Sequence, residues 1–300
     1  MQHEIHDHDH GLAHDFAAMT ALASRRRALR WFAGAGTVAL VAACDSGDST
    51  TAATTSTTTA TPTPSPSASA TATPTPTPSA TTSGCIIDPT ETAGPYPADG
   101  TNTSSGSTSN VLTATNVVRS DLRPSFIGST TVAAGVAVTL TLTLVNVNAS
   151  CAPLAGYAVY LWHCDRAGKY SLYDLPAESY LRGVLVTDAN GQVTFTTIFP
   201  GCYAGRWPHM HFEVFSSLSN AIGGRYAVLT SQLAMPAAVS SAVYASTGYS
   251  ASVGNFSQVS IASDNVFGDN SAAQIAQQTP VFTGSVAAGY SATATLGIAR

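Results

Sequence analysis

Residues 45–84 set the first limit on what this chain can fold into. The stretch is almost entirely Ser, Thr, Ala and Pro, with TPTPSPSASATATPTPTPS at its centre. It has no apolar periodicity and too little apolar surface to offset the entropy of ordering a chain. Its repeated X-Pro steps favour extended, polyproline-like conformations. The expected role is a disordered stalk, open to O-linked sugar. A folded domain therefore has to be built from residues 85–300, and those ~215 residues suffice for one core.

Residues 1–44 read as an export leader. A basic segment, Ser24-Arg25-Arg26-Arg27, precedes an apolar run from Trp31 to Ala43. That run is far short of the ~20 residues needed to span a bilayer. The arginines resemble a twin-arginine signal, and Val41-Ala42-Ala43-Cys44 resembles a bacterial lipobox, whose cysteine is lipidated. The expected location is the outer face of the cell membrane, anchored through Cys44, or the medium. Four of the twelve Lys and Arg (Arg25, Arg26, Arg27, Arg30) lie in this leader, and the net charge is −5. No basic patch remains for a nucleic-acid partner. Five of the eight histidines are also N-terminal, which leaves His163, His209 and His211 for the domain.

The domain is patterned as an all-β sandwich. Val136, Val138, Leu140, Leu142 and Leu144 alternate with Ala137, Thr139, Thr141 and Thr143, the period of a half-buried strand. Further strands are expected over Tyr157 to His163, Val184 to Thr187, Gln192 to Ile198, Met210 to Phe215, Tyr226 to Leu233, Thr279 to Phe282 and Ser291 to Ile298. Asn190-Gly191 between two of them is a strong hairpin signal. The Ala- and Ser-rich tail is hard to assign, and no long amphipathic helix is evident. Cys85, Cys151, Cys164 and Cys202 can pair in three ways in an exported protein. No CxxC spacing points to zinc.

His209-Met210-His211 puts two imidazoles on one face of a strand, so both can reach one ion. Tyr170 follows the Gly168 turn and Tyr203 follows Pro200-Gly201-Cys202, both on loops at strand ends where reactive groups are displayed. Together the four are a candidate set of metal ligands. Phenolate is a hard anionic donor that favours Fe(III), and imidazole suits iron generally.

The segments Glu91-Thr92-Ala93-Gly94-Pro95-Tyr96, Trp162-His163-Cys164-Asp165 through Tyr170, Leu181-Arg182-Gly183, Thr187-Asp188-Ala189-Asn190-Gly191 and Pro200-Gly201-Cys202-Tyr203, followed by Gly205-Arg206 and His209-Met210-His211, resemble the intradiol ring-cleavage dioxygenases. That family includes the catechol and protocatechuate enzymes, and the similarity is greatest to its exported single-domain bacterial branch. The order of two spaced tyrosines followed by HxH is far more specific than any part of it.

The resemblance implies one Fe(III) per domain, held by Tyr170, Tyr203, His209 and His211. Tyr203 matches the axial phenolate that leaves when substrate binds, and Arg206 matches the arginine beside the bound diol. Gln232 resembles the family's active-site glutamine, and Tyr96 an aromatic residue at the pocket mouth. The implied partners are a catecholic aromatic and O2. The implied product is a muconate-type diacid, from cleavage between the hydroxylated carbons. His163 is expected to pack near the site without ligating. Leu233-Ala234-Met235-Pro236 stands where large aromatics are commoner, a departure in the pocket wall. A competing reading is a non-catalytic stalked sandwich that binds aromatic or polysaccharide ligands, but the intact ligand set with Arg206 weighs against it. A copper or zinc HxH enzyme is weaker still, because two phenols come with no soft ligand.

Overall fold

The computed structural model of the chain describes residues 85–300. The leader with its two motifs, Cys44 and the 45–84 linker lie outside the described residues. Within them the strands are β1 (Ala137–Asn146), β2 (Ala152–Pro153), β3 (Ala158–Trp162), β4 (Arg182–Val186), β5 (Gln192–Ile198), β6 (His209–Phe215), β7 (Leu229–Ala234), β8 (Val281–Ser285) and β9 (Gly289–Ile298). In the larger sheet β1 is central. It pairs with β2 and β5 and, on its other side, with β9, which pairs with β8. Only β1 and β9 run parallel. The smaller sheet is antiparallel throughout, in the order β4-β3-β6-β7.

The alternation in β1 does what its period requires. Val138, Leu140, Leu142 and Leu144 point inward and meet Leu161, Met210, Phe212, Val214 and Leu233 of the smaller sheet. Each such side chain stabilises by roughly 1.5–3 kcal/mol when fully buried. The opposite face of the smaller sheet is covered too. Tyr160, Trp162 and Val184 pack there against Ala98, Val111, Leu112 and Val117 from the N-terminal part of the domain.

The fold is thus sheet-dominated, with a few short helices. They are α1 (Ala237–Tyr244), α2 (Ser250–Phe256) and α3 (Ala272–Gln278), all in or beside the Ala- and Ser-rich tail. A capping box of Ser271 and Gln274 starts α3.

Two expectations from the sequence need correction. Asn190-Gly191 does not close a hairpin, because β4 pairs with β3 in one sheet and β5 with β1 in the other. The Asp188 carboxylate accepts from the amides of Asn190 and Gln192, both at 2.8 Å. Gly191 lies against β1, where its carbonyl accepts from the Leu144 amide at 2.8 Å. An added Cβ on Gly191 would sit 2.5 Å from the Leu144 carbonyl oxygen. The turn therefore carries the chain from one sheet to the other. Secondly, Tyr226 is in a short 3-10 turn (Gly224–Tyr226), and the strand begins at Leu229.

Cys85 and Cys151 form a disulfide, whereas Cys164 and Cys202 are free and buried. The bridge anchors a strap that bonds first to β9 and then to β7. Asp88 exchanges hydrogen bonds with Gly297 of β9, at 2.9 Å through its amide and 2.5 Å through its carboxyl. The Glu91 amide donates to the Thr230 carbonyl at 2.8 Å.

The bridge spans 66 residues, for which loop entropy predicts a stabilisation of roughly 4 kcal/mol. A Cys85→Ser/Cys151→Ser variant should lose about that much in urea unfolding. Burial pushes the Asp88 carboxyl up to about 7, against the Gly297 amide and the Gln277 side chain. Unfolded, the group ionises at about 4. Its contribution is therefore present below that pH and lost as pH rises through about 7. Asp88→Asn should flatten the fall in unfolding midpoint over this window.

Candidate metal centre

β6 faces two ways. Met210, Phe212 and Val214 enter the sandwich core, so His209, His211 and Glu213 take the other face. Pairing then fixes a row across the smaller sheet, with Arg182 opposite Trp162, Trp162 opposite His211, and His211 opposite Gln232. Trp162 stacks on the His211 ring at 4.9 Å between centroids, 8° from parallel.

The phenols arrive on two loops bound to each other. After β3, Asp165 closes a turn by accepting from the amides of Ala167 (2.8 Å) and Lys169 (3.0 Å). Its carbonyl also accepts from the Gly201 amide at 2.9 Å. The loop of Tyr170 and the loop of Tyr203 are therefore set by one residue. Tyr170 is fully buried, whereas Tyr203 is half-buried and precedes the exposed Ala204 and Gly205.

The four predicted ligand atoms converge. His209 Nε2 lies 3.0 Å from the Tyr203 hydroxyl, 3.1 Å from His211 Nε2 and 3.4 Å from the Tyr170 hydroxyl. The Tyr170 hydroxyl is 3.2 Å from His211 Nε2 and 3.4 Å from the Tyr203 hydroxyl. His209 Nδ1 donates to the Trp207 carbonyl at 2.6 Å, so its Nε2 offers a bare lone pair to the cluster. His211 Nδ1 has no partner. Burial pushes His209 down to about 3 and His211 well below the usual imidazole range, and raises both phenols. A cation among them would reverse the shift of the phenols, favouring phenolate, and would keep the imidazoles neutral.

Around the cluster lie the other predicted residues. Arg206 donates to Gln232 Oε1 at 2.7 Å, and Gln232 Nε2 donates to the Thr92 carbonyl at 2.8 Å. The sequence motif and the strand register thus bring Gln232 to the same place. Tyr96 stacks on Tyr170, with ring centroids 4.6 Å apart. The strap reaches the site through Gly94, whose φ is +70° and whose added Cβ would be 3.2 Å from His211 Cε1. Only glycine takes that conformation so close to the imidazole without strain. His163 stays out of the cluster, bonded to the Cys164 carbonyl and to Thr197 Oγ1, each at 2.7 Å.

Sequence reasoning missed Asp264. Its carboxylate accepts from Arg206 Nε at 3.0 Å and from the Trp207 amide at 2.6 Å. Burial would raise it, but Arg206 and the Trp207 amide hold it below its ordinary value. The residue is 58 positions from Arg206 and belongs to no motif, so no spacing signalled it. Glu213, on the ligand face of β6, bonds Thr230 instead of joining the cluster. Burial and then Asp99 push its carboxyl up to about 9.

The donor set fits a metal. Atoms about 2.0–2.1 Å from a common ion at angles between square and tetrahedral lie about 2.8–3.4 Å apart. The separations here run from 3.0 to 3.4 Å. Two hard phenols with two imidazoles suit a ferric ion. Among the described residues no group of three or more His, Cys, Asp and Glu is placed to hold a metal; this cluster takes half its donors from tyrosine.

Asp264 is completely buried at its side chain and Arg206 is 13% exposed. Asp264→Ala should therefore cost roughly 3–5 kcal/mol, because it strands a buried charge. In urea unfolding, adding Arg206→Met should recover part of that loss.

Comparisons with known proteins bear on the fold. Residues 128–218 match a family model described as Dioxygenase. The fold is similar to that of an intradiol ring-cleavage dioxygenase from Tetranychus urticae, with a TM-score of 0.55 and 23% identity over 72% of this chain and 95% of that one. The dioxygenase domain of a dioxygenase–carbohydrate-binding protein fusion from Streptomyces sp. SirexAA-E aligns with a TM-score of 0.44 and 20% identity, over 71% of this chain and 99% of that one. No curated protein matches the sequence. The matched segment contains Tyr170, Tyr203, Arg206, His209 and His211, and the domain around it is similar in fold to an intradiol ring-cleavage dioxygenase.

Proposed function

We propose that the chain is a non-haem Fe(III) intradiol dioxygenase that inserts both atoms of O2 into a catecholic aromatic and yields a muconate-type diacid. The observation that carries this reading is the convergence of two phenols and two imidazoles beside Arg206, whose side chain is 13% exposed. Tyr170, Tyr203, His209 and His211 would hold the iron, which when bound chelates the diol and makes its ring reactive toward O2.

The protein's own part is binding, orientation and proton handling. Tyr203 is the phenol with room to move, since it is half-buried and followed by exposed residues. Its oxygen, a phenolate when the iron is bound, would take a proton from one diol hydroxyl as the side chain moves off. Tyr170 is walled in by Tyr96 and stays. Arg206, locked by Asp264 and Gln232, stabilises negative charge that develops on the substrate. The leader motifs support export, with Cys44 anchoring the 45–84 stalk and the 85–300 domain outside the membrane.

Turnover of catechol under 18O2, followed by mass spectrometry, tests the reading. The expected product is a ring-opened diacid with both labelled atoms. Tyr203→Phe should lower turnover by roughly 100-fold or more while the diol still binds. A product carrying the label only as a hydroxyl, or a Tyr203→Phe variant with unchanged turnover, would count against it.

A further inference from the structure

We propose that Arg182 is a positioning residue for Tyr170, clamping that phenol from two sides. This rests on the reading of the four-donor cluster as a ferric site. The Leu181-Arg182-Gly183 segment belongs to the family-like pattern, but no role in the site follows from its sequence.

Arg182 opens β4 and is completely buried. Its guanidinium makes four hydrogen bonds and lies over the Tyr173 ring, 5.5 Å from its centroid. Nε donates to Ser171 Oγ at 3.0 Å and Nη2 to the Ser171 carbonyl at 2.8 Å. Nη1 donates to the Pro97 carbonyl at 2.9 Å and to the Tyr160 hydroxyl at 3.2 Å. Ser171 follows the phenol Tyr170, and Pro97 follows Tyr96, whose ring lies on Tyr170. One planar fork thus fixes the backbone next to the ligand and next to its stacking partner. A point-charged ammonium lacks that geometry. None of the four acceptors is a carboxylate. Burying a cation without an ion pair is expensive, and here it holds together two segments separated by 74 or more positions, from Pro97 to Ser171. Ser171 Oγ in turn donates to the Tyr180 carbonyl at 2.7 Å, which ties the far end of the same loop to the clamp.

The test compares Ser171→Ala, Arg182→Lys and a control, Thr197→Val. Ser171→Ala removes two hydrogen bonds on the ligand side, the one accepted from Arg182 Nε and the one donated to the Tyr180 carbonyl, without moving the charge. Thr197→Val also breaks a buried hydrogen bond, to His163 Nε2, but touches neither clamped segment. Two readouts are taken, hydrogen exchange of the metal-free protein and ferric affinity by competition with a chelator.

Ser171→Ala is expected to speed exchange in residues 96–98 and 170–175, and to weaken ferric binding ~10–100-fold, as supporting residues of metal ligands do. Arg182→Lys should do the same or more. Thr197→Val should leave both readouts unchanged at a similar unfolding midpoint. Should Arg182→Lys fail to fold, Ser171→Ala carries the test. Equal ferric affinity and equal exchange in Ser171→Ala and the control would overturn the clamp. Localised exchange in Ser171→Ala from a wild-type protein that binds no ferric ion would keep the clamp and reject the ferric reading instead.

Discussion

The site depends on one constraint, the period-two alternation of β6. Because Met210, Phe212 and Val214 are needed in the sandwich core, His209 and His211 must emerge together on the other face. A slip of one residue would send both imidazoles into the core and three apolar side chains out of it. The register with β3 and β7 then places Trp162 on one side of His211 and Gln232 on the other. The same pairing that holds the smaller sheet together lays out the floor of the candidate metal centre.

The remaining donors come from outside the sheet, and here the chain uses long-range fastenings. The two phenol loops are joined through the Asp165 carbonyl, and the strap that supplies Gly94 and Tyr96 is pinned by the Cys85–Cys151 bridge, Asp88 and Glu91. Closing these loops costs entropy that a bare sandwich would not incur. The result is a cluster whose burial raises both phenols and lowers both imidazoles. Arg206 sits at its edge, held between Asp264 and Gln232.

What was legible in the sequence follows the same division. The strands of the core and the HxH pair were readable because alternation is a local pattern. Tyr170, Tyr203 and Arg206 were readable because their spacing matches a family motif, and Gln232, 26 positions beyond Arg206, was brought in by strand register. Asp264 left no such trace, and although Arg182 lies in a motif segment its contacts did not follow from it, since each meets its partners only after the chain folds. Asn190-Gly191 was misjudged for a related reason. The dipeptide specifies a tight turn, but which sheet each flanking strand joins is decided by Asp188 and by packing on β1. The short helices α1 to α3 were missed because their Ala- and Ser-rich segments carry little amphipathic signal.

The central claim is that Tyr170, Tyr203, His209 and His211 hold one ferric ion. It is tested most directly by the visible absorption spectrum of the purified full chain after ferric reconstitution, with iron measured per chain. The account predicts one iron per chain and a broad phenolate-to-iron charge-transfer band, which shifts when catechol is added without oxygen. A colourless protein that retains no iron would contradict it.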